Sequence, residues 1–134
     1  MRETGFSSNI VSANETFDTL DTIYKNRSKR CYRPDGRHHY QITDADVPSA
    51  EHNEVVVTPN HVRVARHFEY ANKSVSQSRA SMCDKKLRDN GFELCTSTST
   101  WIWYEKKVPR SSFTNQAEIN KFVLREVMLL DTIK

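Results

Sequence analysis

The sequence predicts one α+β domain. Three observations carry that expectation. Apolar residues recur at helical spacing in several segments, and two short alternating runs sit near residues 93–106. A basic helix followed by a glycine stop leads directly into those runs. The chain has 134 residues, with 37% hydrophobic and 28% charged residues, so it is long enough to bury a core without disulfides or metal.

Residues 1–14 are polar and read as a flexible N-terminal arm, leaving 15–134 as the domain. Ser12 or Asn14 can cap a first helix over 15–27. Phe17, Leu20, Ile23 and Tyr24 fall on one face of it. Pro34-Asp35-Gly36 is a turn between candidate strands near 30–33 and 38–43. A loop with Asp44, Asp46, Pro48 and Glu51 follows, and 54–57 is a β-branched strand.

Thr58-Pro59 reads as a helix start, with Thr58 as N-cap and Pro59 at the first helical position. The expected helix is 58–72, with Val62, Ala65 and Phe68 inward. A second helix, 76–90, would turn Met82, Cys83 and Leu87 inward and end at Asn90-Gly91, where glycine can take the left-handed conformation. Strands at 93–96 and 100–106 form a hairpin around Ser97, Thr98 and Ser99. The last helix spans 115–133. Asn115 and Glu118 are placed as a capping box, and Ile119, Phe122, Val123, Val127, Leu130 and Ile133 form its apolar stripe.

Charge and cysteine usage narrow the function classes. Net charge is +3, so the placement of charge matters more than its sum. Cys31, Cys83 and Cys95 are an odd set without a Cys-x-x-Cys pair, which argues against a disulfide framework or a cysteine-rich zinc site. Three glycines, none in a phosphate-binding loop, exclude P-loop or Rossmann nucleotide chemistry. Neither a signal peptide nor an apolar membrane span is evident, so the expected compartment is the cytoplasm. No cofactor is expected.

Two constellations point to nucleic acid. On helix 76–90, Gln77, Ser78, Arg79, Ser81, Lys85 and Arg88 lie on or near the exposed side. Short polar residues and an arginine in the first turns suit phosphates and guanine edges in a major groove. The segment 24–40 interleaves Lys25, Arg27, Lys29, Arg30, Arg33 and Arg37 with Tyr24, Tyr32 and Tyr40, cations for phosphates and rings for bases. The competing reading is an ordinary α+β domain with a solvated basic helix and loop.

Leu87-Arg-Asp-Asn-Gly91-Phe92, after a serine-rich basic helix and before a hairpin, resembles the winged-helix DNA-binding family over residues 58–107. The resemblance implies a winged-helix-like centre built from helices 15–27, 58–72 and 76–90 with the hairpin 93–106 as wing. It also implies a small non-catalytic DNA-binding regulator or accessory factor of bacterial or phage type, DNA being favoured over RNA. A homodimer through the C-terminal helix would suit a two-fold site.

Two other classes compete. Trp101, Trp103 and Tyr104 place aromatic rings on both sides of one strand, which would anchor a protein partner and make the chain a binding module or inhibitor. His38, His39, Asn53 and His61 resemble the HNH nuclease motif. That resemblance implies His39 as general base, His38 and His61 as metal ligands, and Asn53 as the residue ordering the loop.

Overall fold

The fold is known from a computed structural model, which describes residues 5–43, 50–96 and 101–134, with side chains from residue 9 onward. It is α+β. Helix α1 (Gly5–Tyr24) precedes strands β1 (Ser28–Cys31), β2 (His38–Ile42), β3 (Glu51–Val57) and β4 (His61–Phe68). Helix α2 (Lys73–Asp89), strands β5 (Glu93–Thr96) and β6 (Ile102–Pro109), and helix α3 (Gln116–Asp131) complete the chain. The six strands form one antiparallel sheet in the order β1-β2-β3-β4-β6-β5.

All three helices cover one face of this sheet. Strand side chains alternate between faces. Tyr40, Ile42, Val55, Val57, Val62, Val64, Phe68, Ile102 and Tyr104 therefore point together into a core shared with Phe17, Leu20, Tyr24, Leu87, Val123, Val127 and Leu130. Phe17 packs on Tyr40 with ring centroids 5.2 Å apart. The Tyr104 hydroxyl donates to Asp84 of α2 at 2.6 Å.

The segment 58–72 is not a helix. Thr58-Pro59-Asn60-His61 is the tight turn joining β3 to β4. The Thr58 N–H donates to the His61 carbonyl at 2.9 Å, and the His61 N–H donates to Thr58 Oγ1 at 2.9 Å. A Thr-Pro pair satisfies a β-turn as well as a helix start, since proline presets φ for both and the hydroxyl takes an exposed N–H in either. The deciding signal is the period of two in Val62, Val64, Arg66 and Phe68, which outweighs the period of three in Val62, Ala65 and Phe68. The winged-helix centre therefore loses its supporting helix. The hairpin 93–106 is not a separate wing either, because β6 pairs with β4 along its whole length.

Helix α1 starts at Gly5, so residues 5–14, expected in the arm, are helical. Asn9, Ser12 and Thr16 are buried polar residues in this half. Ser12 donates to Gln116 Oε1 at 2.6 Å and Thr16 to Asn120 Oδ1 at 2.9 Å, a polar seam between α1 and α3. Arg110 donates to Asn9 Oδ1 at 2.6 Å. Ile23, expected inward, is half exposed.

The other helix ends follow the sequence closely. Asn72 caps α2 by accepting from the Ser74 and Val75 N–H groups. Gly91 at φ 91° ends it, and the Phe92 N–H donates to the Leu87 carbonyl at 3.0 Å, folding Phe92 onto the core. Met82, expected inward, is 68% exposed, whereas Cys83 and Leu87 are buried. Asn115 caps α3 by accepting from Glu118 N, while Glu118 reaches back to Thr114 N at 2.8 Å. The α3 stripe Ile119, Val123, Val127, Leu130 and Ile133 is buried in this core, so the surface expected to form a dimer is covered by the chain itself. The hairpin tip 97–100 and the loop positions Asp44, Asp46 and Pro48 lie outside the described residues. No helix among the described residues is long and apolar enough to cross a membrane.

Two buried polar ties are testable. Arg66 donates to Asn53 Oδ1 at 2.6 Å, to the Ile133 carbonyl at 2.8 Å and to the Leu130 carbonyl at 2.7 Å. Arg66→Lys keeps the charge but cannot span three acceptors, and urea denaturation should show a loss of about 1–3 kcal/mol. Asp21 accepts from Tyr40 at 2.5 Å and from Arg30 at 2.6 Å. Burial pushes its carboxyl up, but the Tyr40 hydroxyl and Arg30 outweigh that and hold it below the ordinary 3.8. A depressed folded-state value means the stabilisation is present above 3.8 and fades as pH falls below it. Asp21→Asn should therefore lower the urea midpoint at neutral pH, and the gap to the parent should close on acidification. An equal gap at neutral pH and under strong acid would contradict this.

Candidate functional site on the open sheet face

Alternation sends the other half of the strand residues to the face away from the helices. Among the described residues no helix or strand crosses it. Register lays these residues in rows. Lys29, Gln41, Glu54, Ala65, Glu105 and Glu93 form one row, and Cys31, His39, Val56, Arg63 and Lys107 a second. His52, His67, Trp103 and Cys95 form a third. With His61 at the start of β4, four of the chain's five histidines lie on this face.

Glu54 is the hub. Its carboxylate lies 3.1 Å from His39 Nδ1, 3.1 Å from His67 Nε2 and 3.0 Å from Arg63 Nη2. Arg63 also reaches Glu105 at 3.4 Å, and the Trp103 indole N–H donates to Glu105 at 3.0 Å. His67 Nδ1 lies 3.0 Å from Glu69 Oε2. The His67 ring is stacked between two others: His52 at 4.9 Å and 5°, and Trp103 at 5.9 Å and 18°.

The network is largely shielded from water although nothing described overlies it. The Glu54 side chain is 14% exposed and that of His67 9%. Burial pushes the Glu54 carboxyl up, but the His39 and His67 rings outweigh it and hold it far below the ordinary carboxylate range. Burial pushes His67 down, while Glu54 and Glu69 more than offset this and favour its charged form. The His67 ring likewise holds Glu69 low. Strongly perturbed groups gathered on one face mark it as the leading candidate site.

The residues expected to contact nucleic acid are divided by the fold. Lys25, Lys29, Arg33 and Arg37 are exposed around the β1 edge and form no ion pair with a described residue. Arg27 instead pairs with Asp131, and Arg30 faces the helices, bound to Asp18 and Asp21. On α2, Gln77, Ser78 and Ser81 are exposed, but Arg79 turns back to grip Glu51 through two nitrogens at 2.5 and 3.0 Å. Lys85 pairs with Asp89 and Arg88 with Asp84. α2 packs over β4, β6 and β5, at the opposite end of the sheet from β1. The two basic groups therefore do not form one continuous face. Only Arg27 and Arg79 converge, lining a small pocket with Arg66, Glu51 and Asp131.

The HNH-like set is also split. His38 and Asn53 face the helices, where His38 Nδ1 accepts from the Arg33 N–H at 3.2 Å and Asn53 holds Arg66. His39 and His61 face the open side, and a strand follows where the nuclease helix would be. Of the aromatic trio, Tyr104 is core, Trp103 is half-buried on the open face, and Trp101 just before β6 is 51% exposed. Sequence reasoning missed Glu54, Arg63, His52, His67 and Glu105. The one local signal is the alternation of His61-Val62-Arg63-Val64; Glu51 to Val57 shows none.

Comparison of this chain with protein-family models, with curated proteins and with solved structures finds no match.

Removing a hub should cost far more than removing a surface pair. Glu54→Ala leaves Arg63, His39 and His67 as crowded cationic or polar groups, and a loss of about 2–4 kcal/mol is expected by urea denaturation. Lys85→Ala breaks a pair whose lysine is 88% exposed and should leave the midpoint unchanged.

Proposed function

We propose that the protein is a non-catalytic binding module that lays a single-stranded nucleic acid across the open face of its sheet. The carrying observation is that Trp103 shares this face with four of the five histidines, Arg63 and Lys107, and that Trp101, just before β6, is half exposed. Bases stack on exposed rings with little sequence preference, at about 1–3 kcal/mol per base. Cations at the rim receive the phosphates: Lys29 and Lys107 are exposed, and Arg33 and Arg37 extend the same edge through the β1–β2 turn.

Three of the four carboxylates of this face do not oppose that reading; the fourth, Glu93 at the β5 edge, has no ion pair with a described residue. Glu54, Glu69 and Glu105 are each held by histidine, arginine or the Trp103 N–H, so their charge is answered within the protein. A duplex reader built on α2 is disfavoured, because three of its five cations, Arg79, Lys85 and Arg88, are paired with Glu51, Asp89 and Asp84, leaving Lys73 and Lys86. An open face of a six-stranded sheet also suits a splayed strand better than a groove-inserted helix does.

Intrinsic tryptophan fluorescence reports this strand alone, because the chain's two tryptophans are Trp103 on β6 and Trp101 just before it. A short single-stranded oligonucleotide should quench it, with affinity falling as salt rises by roughly 0.7 log units per log unit of salt for each phosphate neutralised. Trp101→Ala and Lys107→Ala should each weaken binding about five- to tenfold. Gln77→Ala with Lys85→Ala should not. No quenching, or duplex binding that depends on the α2 pair, would overturn the proposal; capture of a protein through Trp101 without oligonucleotide binding would transfer the face to a protein partner.

A further inference from the structure

Strand register brings His52, His67 and Glu69 together at one end of the open face. His52 and His67 are direct cross-strand partners on β3 and β4. Glu69 lies two residues beyond His67 and so takes the same side, its backbone N–H fixed to the Ala50 carbonyl at 2.7 Å. One ligand atom from each of the three falls within 4.8 Å of the others.

The geometry around His67 points to a cation at this spot. Glu54 Oε1 lies 3.1 Å from His67 Nε2, and an ionised carboxylate only accepts, so Nε2 carries the hydrogen. That leaves Nδ1 as the ring atom available to a further ligand. It is buried, sits 3.0 Å from Glu69 Oε2, and lacks the alignment of a hydrogen bond to it. A proton can serve one nitrogen and one oxygen; a divalent metal ion can use all three residues.

We propose that His67 Nδ1, a ring nitrogen of His52 and a carboxylate oxygen of Glu69 form a binding site for a divalent ion of the zinc class. This inference does not rest on nucleic-acid binding. Two imidazoles and one carboxylate are borderline donors that suit Zn²⁺ and Co²⁺, and three protein ligands leave a coordination position open. Glu54 behind His67 is the orienting carboxylate that such histidines commonly have: it fixes the tautomer and raises the basicity of Nδ1. Ligand atoms around zinc sit about 3–3.5 Å apart, given metal bonds near 2.0–2.2 Å, so the three must draw in by an ångström or more. The His52 ring must also turn out of its parallel stack on His67, because imidazole binds metal in its own plane. Trp103, stacked on the other side of His67, is positioned to sense that movement.

The test uses the full chain without a histidine tag, freed of metal with a chelator. Calorimetric titration with ZnCl₂ should show one ion per chain, CoCl₂ should give the visible absorption of low-coordinate cobalt, and Trp fluorescence should change in step. His52→Gln and Glu69→Gln, each checked for native circular dichroism, should weaken binding at least about tenfold, the scale on which metal sites respond to lost ligand-shell groups. His61→Gln, on the same face but outside the site, should bind as the parent does. The inference is overturned if the parent takes up no stoichiometric ion, or if both site variants bind as the parent does. Loss in His61→Gln with retention in His52→Gln would overturn it equally.

Discussion

The Arg66 guanidinium is the tie on which the arrangement of layers depends. It sits on β4, pointing into the helix side, and is 6% exposed. A buried guanidinium is costly unless its donors are met. Here Asn53 on the neighbouring strand takes one, and the carbonyls of Leu130 and Ile133 take two more. Those carbonyls lie at and just beyond the C-terminal end of α3, the negative end of the helix dipole, and the Leu130 carbonyl also accepts from the Ile133 N–H at 3.0 Å. One side chain thus meets the C-terminal end of α3 and fixes it over the centre of the sheet. Burial pushes the Arg66 guanidinium down, with Glu51 and Asp131 among the groups opposing that. Glu51 in turn is gripped by Arg79 from α2 and by the Tyr70 hydroxyl. A chain of polar contacts therefore joins α2, β3, β4 and α3 where the aliphatic core gives way at the sheet's end.

The same two strands carry a second polar system on their other side. In β3, Glu51 and Asn53 turn to the helices, whereas His52 and Glu54 turn away. In β4, Arg66 turns to the helices and Arg63 and His67 turn away. A shift of one residue in pairing would exchange the two sets, placing His52 and Glu54 against aliphatic core and Arg66 in water. Register here is held by charge as much as by apolar pattern. That explains how the first half of β3 stays ordered although Glu51, His52 and Asn53 are all polar and all buried.

Elements with a local signal were readable from the sequence. α2 and α3 announce themselves through caps and stripe, and Gly91-Phe92 behaves as a left-handed stop with a returning apolar residue. The first half of α1 was not readable, because Asn9, Ser12 and Thr16 bury polar atoms against Gln116, Asn120 and Arg110, partners about a hundred residues away. β4 was misread because Thr58-Pro59 fits two structures, and choosing between them requires knowing that 51–57 lies alongside. The site was hidden for a related reason. His52 and His67 become neighbours, and Glu54 a hub, only once two strands pair. Residue spacing along a single segment carries no trace of that.

Charge shows most clearly why a count of basic residues is a poor guide to a surface. Segments 24–40 and 76–90 look basic in isolation, yet the carboxylates that answer them lie elsewhere in sequence or on the opposite turn of the same helix. Arg30 meets Asp18 and Asp21 from α1, Arg27 meets Asp131 from α3, and Arg79 meets Glu51 from β3. Lys85 and Arg88 meet Asp89 and Asp84 one turn away. Of the cations left facing water, Lys25, Lys29, Arg33 and Arg37 lie at one edge of the sheet and Lys107 further across, while Lys73 and Lys86 on α2 and Lys121 on α3 are exposed on the helices without an ion pair to a described residue. Lysine on an edge strand also discourages pairing with another chain, so Lys29 has a structural use whatever the sheet binds. That use extends to Lys107, which pairs with Arg63 of β4 alone because β5 stops pairing at Glu105, but not to Trp103, which lies between His67 of β4 and Cys95 of β5. A half-buried indole on a strand paired on both sides does nothing for edge protection; Trp103 serves instead the stack on the His67 ring and the hydrogen bond to Glu105.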